Sequence, residues 1–194
     1  MIYLTIIALK IYFINMPIIK NKKTIVSTRL FTIKELEIEF KKNIHREYEV
    51  ISGKGHGAVM IIPFQNNKLY FVKEFAAAID DYAISFPKGR VDDGETINEA
   101  ANRELQEEIG FKSKKLSHIF TLSLAPGYID HDTHIFLAED LEPSKLSGDE
   151  PEELTVIKCD LNKIKTLIAQ KNNNIESRAI ACIYLFEKHM DIKL

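Results

Sequence analysis

The segment Gly89–Phe111, GRVDDGETINEAANRELQEEIGF, constrains the fold of this chain more than any other part of it. Apolar residues recur every four positions along the segment, namely Ile97, Ala101, Leu105 and Ile109. This period predicts a helix over 96–110 that buries one apolar stripe and ends at a glycine, Gly110.

Three glutamates accompany that stripe: Glu104, Glu107 and Glu108. Their spacing places them on one side of the predicted helix, at the edge of the core, where like charges repel. A positive partner is therefore expected, and a hard divalent cation prefers such oxygen ligands. By itself, an acidic run of this kind is more typical of a solvated helix face than of a metal site, so the interpretation depends on the rest of the segment.

The whole segment matches the pattern G-x5-E-x7-R-E-U-x-E-E-x-G-U, where U is a bulky apolar residue. Nine constrained positions are occupied: Gly89, Glu95, Arg103, Glu104, Leu105, Glu107, Glu108, Gly110 and Phe111. In this the chain resembles the Nudix hydrolase superfamily. The resemblance implies an α/β/α sandwich with a mixed sheet, in which this segment forms a loop, a helix and a second loop.

The resemblance also assigns roles to residues of the segment. Glu104 and Glu108 would be the main ligands of Mg²⁺, for which Mn²⁺ is a substitute, and Glu107 would assist in metal binding and catalysis. The backbone carbonyl of Lys88 or Gly89 would supply a further oxygen. The chemistry expected of such a site is attack of water on a diphosphate whose negative charge the metal neutralises.

Two further pairs follow from the resemblance. Glu95 and Arg103 would form an ion pair that holds the loop against the helix. In relatives that cleave ADP-ribose, the catalytic base comes from a loop outside the segment, and the match here is GDEPEEL at 148–154. Glu150 and Glu152 are the candidate bases, and a plain acidic surface loop is the alternative.

Sequence blocks outside the segment resemble the bacterial ADP compounds hydrolase branch: TRLFTIKELEIEF, GAVMIIP, LSLAPGY and LEPSKLSGDEPE. That branch acts on ADP-ribose, diadenosine triphosphate and NADH, and gives AMP and a second phosphorylated product from ADP-ribose. Its members are homodimers, which implies a dimerisation role for residues 24–51. A hydrolase of nucleoside triphosphates or longer dinucleoside polyphosphates is the alternative. A non-catalytic nucleotide sensor is disfavoured, because the box is complete.

Seven residues are candidate substrate contacts. Arg29, Arg46 and Lys73 are candidates for phosphate, Phe31 and Tyr48 for adenine, Tyr128 for ribose, and Pro126 lies 15 residues beyond Phe111, as in ADP-ribose-type members. Each of these residues alone is more often a surface or packing residue. The branch tends to have arginine at the position of Lys73, which puts a bidentate phosphate contact there in doubt.

The remaining pattern predicts a mixed α/β domain over 24–194. Alternation with period two predicts a hairpin of strands over 30–40 and 45–51. Further strands are predicted at 57–64, 69–75, 82–86, 114–124, 133–139 and 154–159. Two helices close the chain, at 161–170 and 175–190, and the second is expected to turn Ile180, Ile183, Tyr184 and Phe186 inward.

Residues 1–23 are interpreted as an N-terminal extension. The first nineteen are apolar, but no basic residue precedes the run and Lys10 interrupts it, which disfavours a signal peptide and a membrane span. Met16 opens a more ordinary N-terminus. Residues 1–15 are therefore read as spurious upstream sequence or disordered, with an extra strand or anchor and a signal as the alternatives.

Charge and cysteine content exclude several classes of partner. The 26 basic and 28 acidic side chains nearly balance, so neither a nucleic-acid footprint nor a polybasic membrane patch is expected. Cys159 and Cys182 lack metal-ligand spacing, and two thiols in a chain of 194 residues are typical of a reducing compartment. A cytoplasmic enzyme with a small nucleoside diphosphate-linked substrate is expected, and a structural disulfide is the alternative for the two cysteines.

Overall fold

The structure, a computed structural model, describes residues 16–41, 43–53 and 55–194. The interpretations of residues 1–15 lie outside the described residues. The chain divides into two compact units. The first contains the described residues up to Gly53 together with Ala125–His131, and the second contains Gly55–Leu124 and Asp132–Leu194.

The first unit is built on three antiparallel strands: β1 (Ile18–Ser27), β2 (Phe31–Lys41) and β3 (Ile44–Gly53). The predicted hairpin is confirmed: β2 and β3 pair from Phe31 opposite Gly53 to Lys41 opposite Ile44, with one register shift between Glu39 and Lys41. Strand β1 begins inside the segment interpreted as an extension, and its lysine-rich sequence lacks the alternation that predicts a strand. The first residues of β9 (Ile129–Pro143) pair in parallel with β3, Ile129 opposite Ile51.

The second unit contains the other strands and three helices. The strands are β4 (Ala58–Gln65), β5 (Lys68–Ala76), β6 (Asp81–Ser85), β7 (Lys88–Arg90), β8 (Phe111–Ala125), the remainder of β9, β10 (Thr155–Asp160) and β11 (Asn174–Ile175). The helices are α1 (Ile97–Ile109), α2 (Ile164–Ala169) and α3 (Ser177–Met190). β4 pairs in parallel with β9 and antiparallel with β7, while β5 pairs antiparallel with β6 and β10, so the sheet is mixed.

Alternation along β4 divides the core of this unit into two layers. Val59 and Ile61 pack with the apolar stripe of α1, whereas Met60 and Ile62 pack on the opposite side with α2 and α3. All four side chains are fully buried, which requires cover on both faces of the sheet. The predicted α/β/α sandwich is therefore confirmed.

The inward face of α3 differs from the predicted one. Ile183 and Phe186 are buried as expected, but the side chains of Ile180 and Tyr184 are 39% and 58% exposed. The buried stripe is Ala179, Cys182, Ile183 and Phe186, spaced i, i+3, i+4 and i+7. The prediction was wrong for Ile180 and Tyr184, because the buried stripe that contains Ile183 and Phe186 also runs through Ala179 and Cys182 and leaves Ile180 and Tyr184 outside it.

Both cysteines, Cys159 on β10 and Cys182 on α3, are buried and free. The alternative of a structural disulfide is therefore excluded. Over residues 16–41, 43–53 and 55–194, no helix combines the length and the apolar character that crossing a bilayer requires.

Candidate active site

Helix α1 is fixed at both ends by local interactions. Thr96 and Glu99 form a capping box: the Thr96 hydroxyl accepts the Glu99 N–H at 3.2 Å, and the Glu99 carboxylate accepts the Thr96 N–H at 2.9 Å. At the other end Gly110 adopts φ 76°, a left-handed conformation that favours glycine. Since Ala101 and Leu105 are fully buried, rotation of the helix about its axis is restricted as well.

The helix carries two carboxylates at the edge of the core. Glu104 and Glu108 are only 9% and 6% exposed. The carboxylate of Glu108 accepts the backbone N–H of Lys88 at 3.3 Å. Burial raises the pKa of Glu108 to about 9; the Lys88 ammonium opposes the rise, and the charges of Glu104 and Glu74 add to it. Two acidic groups in such surroundings favour a bound cation.

Gly89 lies directly against Glu104. A Cβ atom on Gly89 would overlap the Glu104 carboxylate group. The position therefore requires glycine for steric reasons, since any side chain would displace this carboxylate.

Arg103 links the loop before α1 to the acidic side of the helix. Its Nε and Nη2 atoms donate to the two carboxylate oxygens of Glu95 at 2.9 and 3.0 Å, and its Nη1 donates to Glu104 at 2.7 Å and Glu107 at 3.0 Å. A further bond runs from Nη2 to the carbonyl of Arg90 at 3.0 Å. The Arg103 guanidinium lowers the pKa of Glu95. Arg103 therefore supplies part of the positive charge that offsets the repulsion among the three helix glutamates.

Glu74 joins the cluster although the sequence did not mark it. This residue of β5 forms an ion pair with the Lys88 ammonium, and both side chains are largely buried. Its charge raises the pKa of both Glu108 and Glu150, which brings it into the same acidic group. No local sequence pattern identifies Glu74. Its contact with Lys88 arises only when the sheet brings β5 and β7 close together.

The predicted base loop, residues 148–154, closes one side of this group. A pocket of about 240 Å³ is lined by Glu107 and Glu108 of the helix and by loop residues that include Glu150 and Glu152. The structure therefore brings both candidate bases to the helix carboxylates. Partial desolvation and the charges of Glu74 and Asp149 raise the pKa of Glu150, while Glu152 accepts a hydrogen bond from the Tyr82 hydroxyl at 3.3 Å.

The residues present fit a divalent cation in donor chemistry. Their free atoms are carboxylate oxygens, the ligands that hard cations prefer, and they are too buried to be well solvated. Within the described residues, however, no three acidic, histidine or cysteine side chains form a finished metal cage. Arg103 occupies one oxygen each of Glu104 and Glu107, so the second oxygen of each carboxylate has no contact with Arg103 and can face a cation.

The predicted substrate contacts are divided between the two units. Lys73 belongs to the second unit, where its ammonium lies 5.4 Å from the centre of the Tyr82 ring. The other six lie exposed in the first unit: Arg29, Phe31, Arg46, Tyr48, Pro126 and Tyr128. There Arg46 donates to the carbonyl of its neighbour His45 at 2.7 Å, and the Tyr48 ring packs on Phe40 with centroids 5.9 Å apart. Their contacts with substrate remain predictions.

The chain is similar to known proteins in sequence and in fold. The model of the NUDIX domain matches residues 54–180. The chain is 37% identical to the ADP compounds hydrolase NudE of Escherichia coli, over 87% of this chain and 90% of that protein, and 29% identical to an ADP-ribose pyrophosphatase of Bacillus subtilis, over 85% and 92%. A crystal structure of an ADP compounds hydrolase superposes with a TM-score of 0.81 at 35% identity, covering 91% of this chain and 95% of the other. On its sequence, fold and acidic helix, this chain belongs to the NUDIX family.

Proposed function

We propose that this protein is a Mg²⁺-dependent hydrolase of the pyrophosphate bond in ADP-linked compounds. ADP-ribose, diadenosine triphosphate and NADH are the proposed substrates, and ADP-ribose would give AMP and a second phosphorylated product. The similarity to enzymes named ADP compounds hydrolase and ADP-ribose pyrophosphatase over most of both chains supports this substrate class.

The buried pair Glu104 and Glu108 is the observation that carries the proposal. Two carboxylates less than a tenth exposed are costly to keep in a folded protein unless they serve a cation. Their position beside a pocket that also contains Glu150 supports a reaction at a polyanionic group. A purely structural acidic face would be solvated instead.

Glu104, Glu108 and Glu107 would hold the cation, together with the backbone carbonyl of Lys88 or Gly89. When bound, Mg²⁺ would neutralise the phosphoryl oxygens and acidify a water molecule. Gly89 leaves room for the Glu104 carboxylate, and Arg103 keeps the preceding loop against the helix through Glu95. These residues hold the reacting groups in place, which is the protein's main contribution in phosphoryl transfer.

Glu150 is the proposed general base. It would take a proton from the attacking water as the water oxygen bonds to one phosphorus atom and the bridging P–O bond breaks, so that the second phosphate departs with the bonding electrons. Its raised pKa makes this carboxylate a stronger base than an ordinary glutamate. Glu152 is the less suitable candidate, because its carboxylate already accepts the Tyr82 hydroxyl.

A homodimer formed through the first unit is part of the proposal. Strands β1 and β2 leave large apolar side chains more than 40% exposed, among them Ile18, Ile19, Val26 and Phe31. Several exposed large apolar side chains on two paired strands are typical of an interface between proteins. Sedimentation equilibrium should give twice the mass of the chain, and a charged substitution such as Ile19→Glu should yield the monomer.

The deciding experiment is a substrate panel with product identification. ADP-ribose, NADH, diadenosine triphosphate, longer diadenosine polyphosphates and nucleoside triphosphates are incubated with and without Mg²⁺. We expect AMP from ADP-ribose only with the cation, and an approximately 100-fold or greater loss of turnover in Glu108→Gln with the fold intact. A preference for nucleoside triphosphates would contradict the proposed substrate class. A protein that cleaves none of these compounds would contradict the proposed hydrolase activity.

A further inference from the structure

The loop that carries Glu150 is attached to the body of the second unit at both of its ends. At its beginning, Ser144 donates from its hydroxyl to the side chain of Gln106 at 2.8 Å, and Lys145 donates to the carbonyl of Glu107 at 2.6 Å. At its end, Tyr82 donates to Glu152 at 3.3 Å. Residues between these contacts have no regular secondary structure and are exposed, which is typical of segments with low local stability.

The Tyr82 ring is itself held in place. It stands opposite Phe75 in the pairing of β5 with β6, and the two rings meet edge to face with centroids 5.7 Å apart. The Lys73 ammonium lies 5.4 Å from the centre of the same ring. Since Thr155, at the start of β10, pairs with Lys73, the chain enters the sheet close to the point where Tyr82 binds Glu152.

Proline joins the anchored residue to the proposed base. The order along the chain is Glu150, Pro151 and Glu152. Proline fixes its own φ angle and restricts the backbone of the residue before it to extended conformations. A restraint on the side chain of Glu152 therefore limits the backbone conformations open to Glu150.

We propose that Tyr82 is a positioning residue for the reaction: its hydroxyl holds Glu152, and Pro151 transmits this restraint to Glu150. This inference rests on the proposed function of Glu150 as the base. Glu152 then has a holding role and needs only an acceptor oxygen, whereas Glu150 needs a carboxylate.

The first test is Tyr82→Phe, which keeps the ring and removes the hydroxyl. We expect kcat for ADP-ribose to fall about 10-fold, since a small misplacement of a catalytic group lowers the reaction rate strongly. KM and the Kd for Mg²⁺ should remain unchanged, because Tyr82 contacts neither ligand in this proposal. Tyr184→Phe, the same change at an exposed tyrosine on α3, is the matched control and should leave kcat unaltered. A rise in KM without a fall in kcat would overturn the positioning role.

Variants of Glu152 test the acceptor. Glu152→Gln keeps an oxygen that accepts the tyrosine hydroxyl and should retain near-normal kcat, while Glu152→Leu should resemble Tyr82→Phe. The double variant Tyr82→Phe with Glu152→Leu should be no worse than either single one, because both remove the same bond. Loss of activity in Glu152→Gln as large as in Glu150→Gln would overturn the inference and make Glu152 the base.

Hydrogen exchange gives a readout that does not depend on turnover. Amides of residues 146–154 should exchange faster in Tyr82→Phe than in the wild type, with helix α1 unchanged as an internal reference. Unchanged exchange would overturn the holding role even in an active enzyme. If the wild type cleaves no substrate but the loop still loosens, the proposed function fails and the attachment of the loop by Tyr82 stands.

Discussion

The guanidinium group of Arg103 donates two parallel hydrogen bonds to the carboxylate of Glu95, one from Nε at 2.9 Å and one from Nη2 at 3.0 Å. This forked geometry is available to arginine and not to lysine, whose ammonium is a point charge. It ties the loop that follows β7 to the middle of helix α1.

The first prediction concerns that ion pair. Arg103→Lys should lower the free energy of unfolding by about 1.5–3 kcal/mol, the range for hydrogen bonds to charged groups. A lysine ammonium cannot make all the bonds that the guanidinium makes to Glu95, Glu104 and the Arg90 carbonyl. Urea denaturation measures the change. Arg90→Lys is the matched control, since the Arg90 side chain is exposed, and it should leave the midpoint unchanged.

The second prediction concerns the contact of Gly89 with Glu104. Gly89→Ala should fold, because the displaced atoms are the end of a flexible side chain, but it should weaken divalent cation binding about 10-fold. Titration with Mn²⁺ followed by electron paramagnetic resonance measures the affinity. At Gly127 an added Cβ meets nothing within 4 Å, so Gly127→Ala should bind Mn²⁺ as the wild type does.

The third prediction is a pH dependence that arises from Glu108. Its pKa in the folded protein, about 9, lies above the ordinary value, so the folded state favours the protonated acid. The stability contributed by this protonation is complete below the ordinary glutamate pKa and is lost as the pH rises towards 9. Without divalent cations, Glu108→Gln should therefore be more stable than the wild type at pH 8, by about 1–3 kcal/mol, and equal to it near pH 4.

Denaturation curves in EDTA across this pH range measure the effect. Glu47→Gln, at an exposed position on β3, is the control and should follow the wild type at every pH. Addition of Mg²⁺ should stabilise the wild type more than Glu108→Gln, because the variant lacks one of the carboxylates proposed to bind the cation in the folded state. If the wild type is more stable than Glu108→Gln at pH 8 in EDTA, ionising the buried Glu108 carboxyl group does not destabilise the folded state and the prediction is wrong.

The fourth prediction concerns the two thiols. Burial raises the pKa of Cys182 to about 12 and also raises that of Cys159, so neither forms an appreciable amount of the reactive thiolate at pH 8. Ellman's reagent should label fewer than one thiol per chain over minutes in native buffer and both thiols at once in guanidinium chloride. Rapid native labelling would mean that the packing of α3 or β10 opens readily.

The fifth prediction tests the buried face of α3. Ile183→Ala should cost about 2–4 kcal/mol of unfolding free energy, because the side chain is 6% exposed and its removal leaves a cavity. Ile180→Ala, on the same helix at 39% exposure, should cost less than about 1 kcal/mol. Equal losses would indicate that the helix is rotated, as the sequence pattern had suggested.

The sequence alone predicted the helix that carries the glutamates proposed to bind the metal, and it did so within one residue at each end. Helix α1 is specified locally: its apolar period, its capping box from Thr96 to Glu99 and its glycine stop all lie within 23 consecutive residues. Local interactions need no knowledge of the rest of the fold. The hairpin of β2 and β3 was predictable for the same reason, since a turn and two alternating runs adjoin each other.

Only the tertiary structure decided which distant residues join this helix. Glu74 and Tyr82 enter the site through the register of β5 and β6, and Glu152 reaches Tyr82 from a loop 70 positions further along the chain. The inward face of α3 was likewise settled by packing: Ala179 and Cys182 are fully buried in the core, whereas Ile180 and Tyr184 stay exposed. The composition and periodicity of a short segment specify its helix or strand. Contacts between helices and strands depend on strand register and on shape, which a short segment of sequence does not contain.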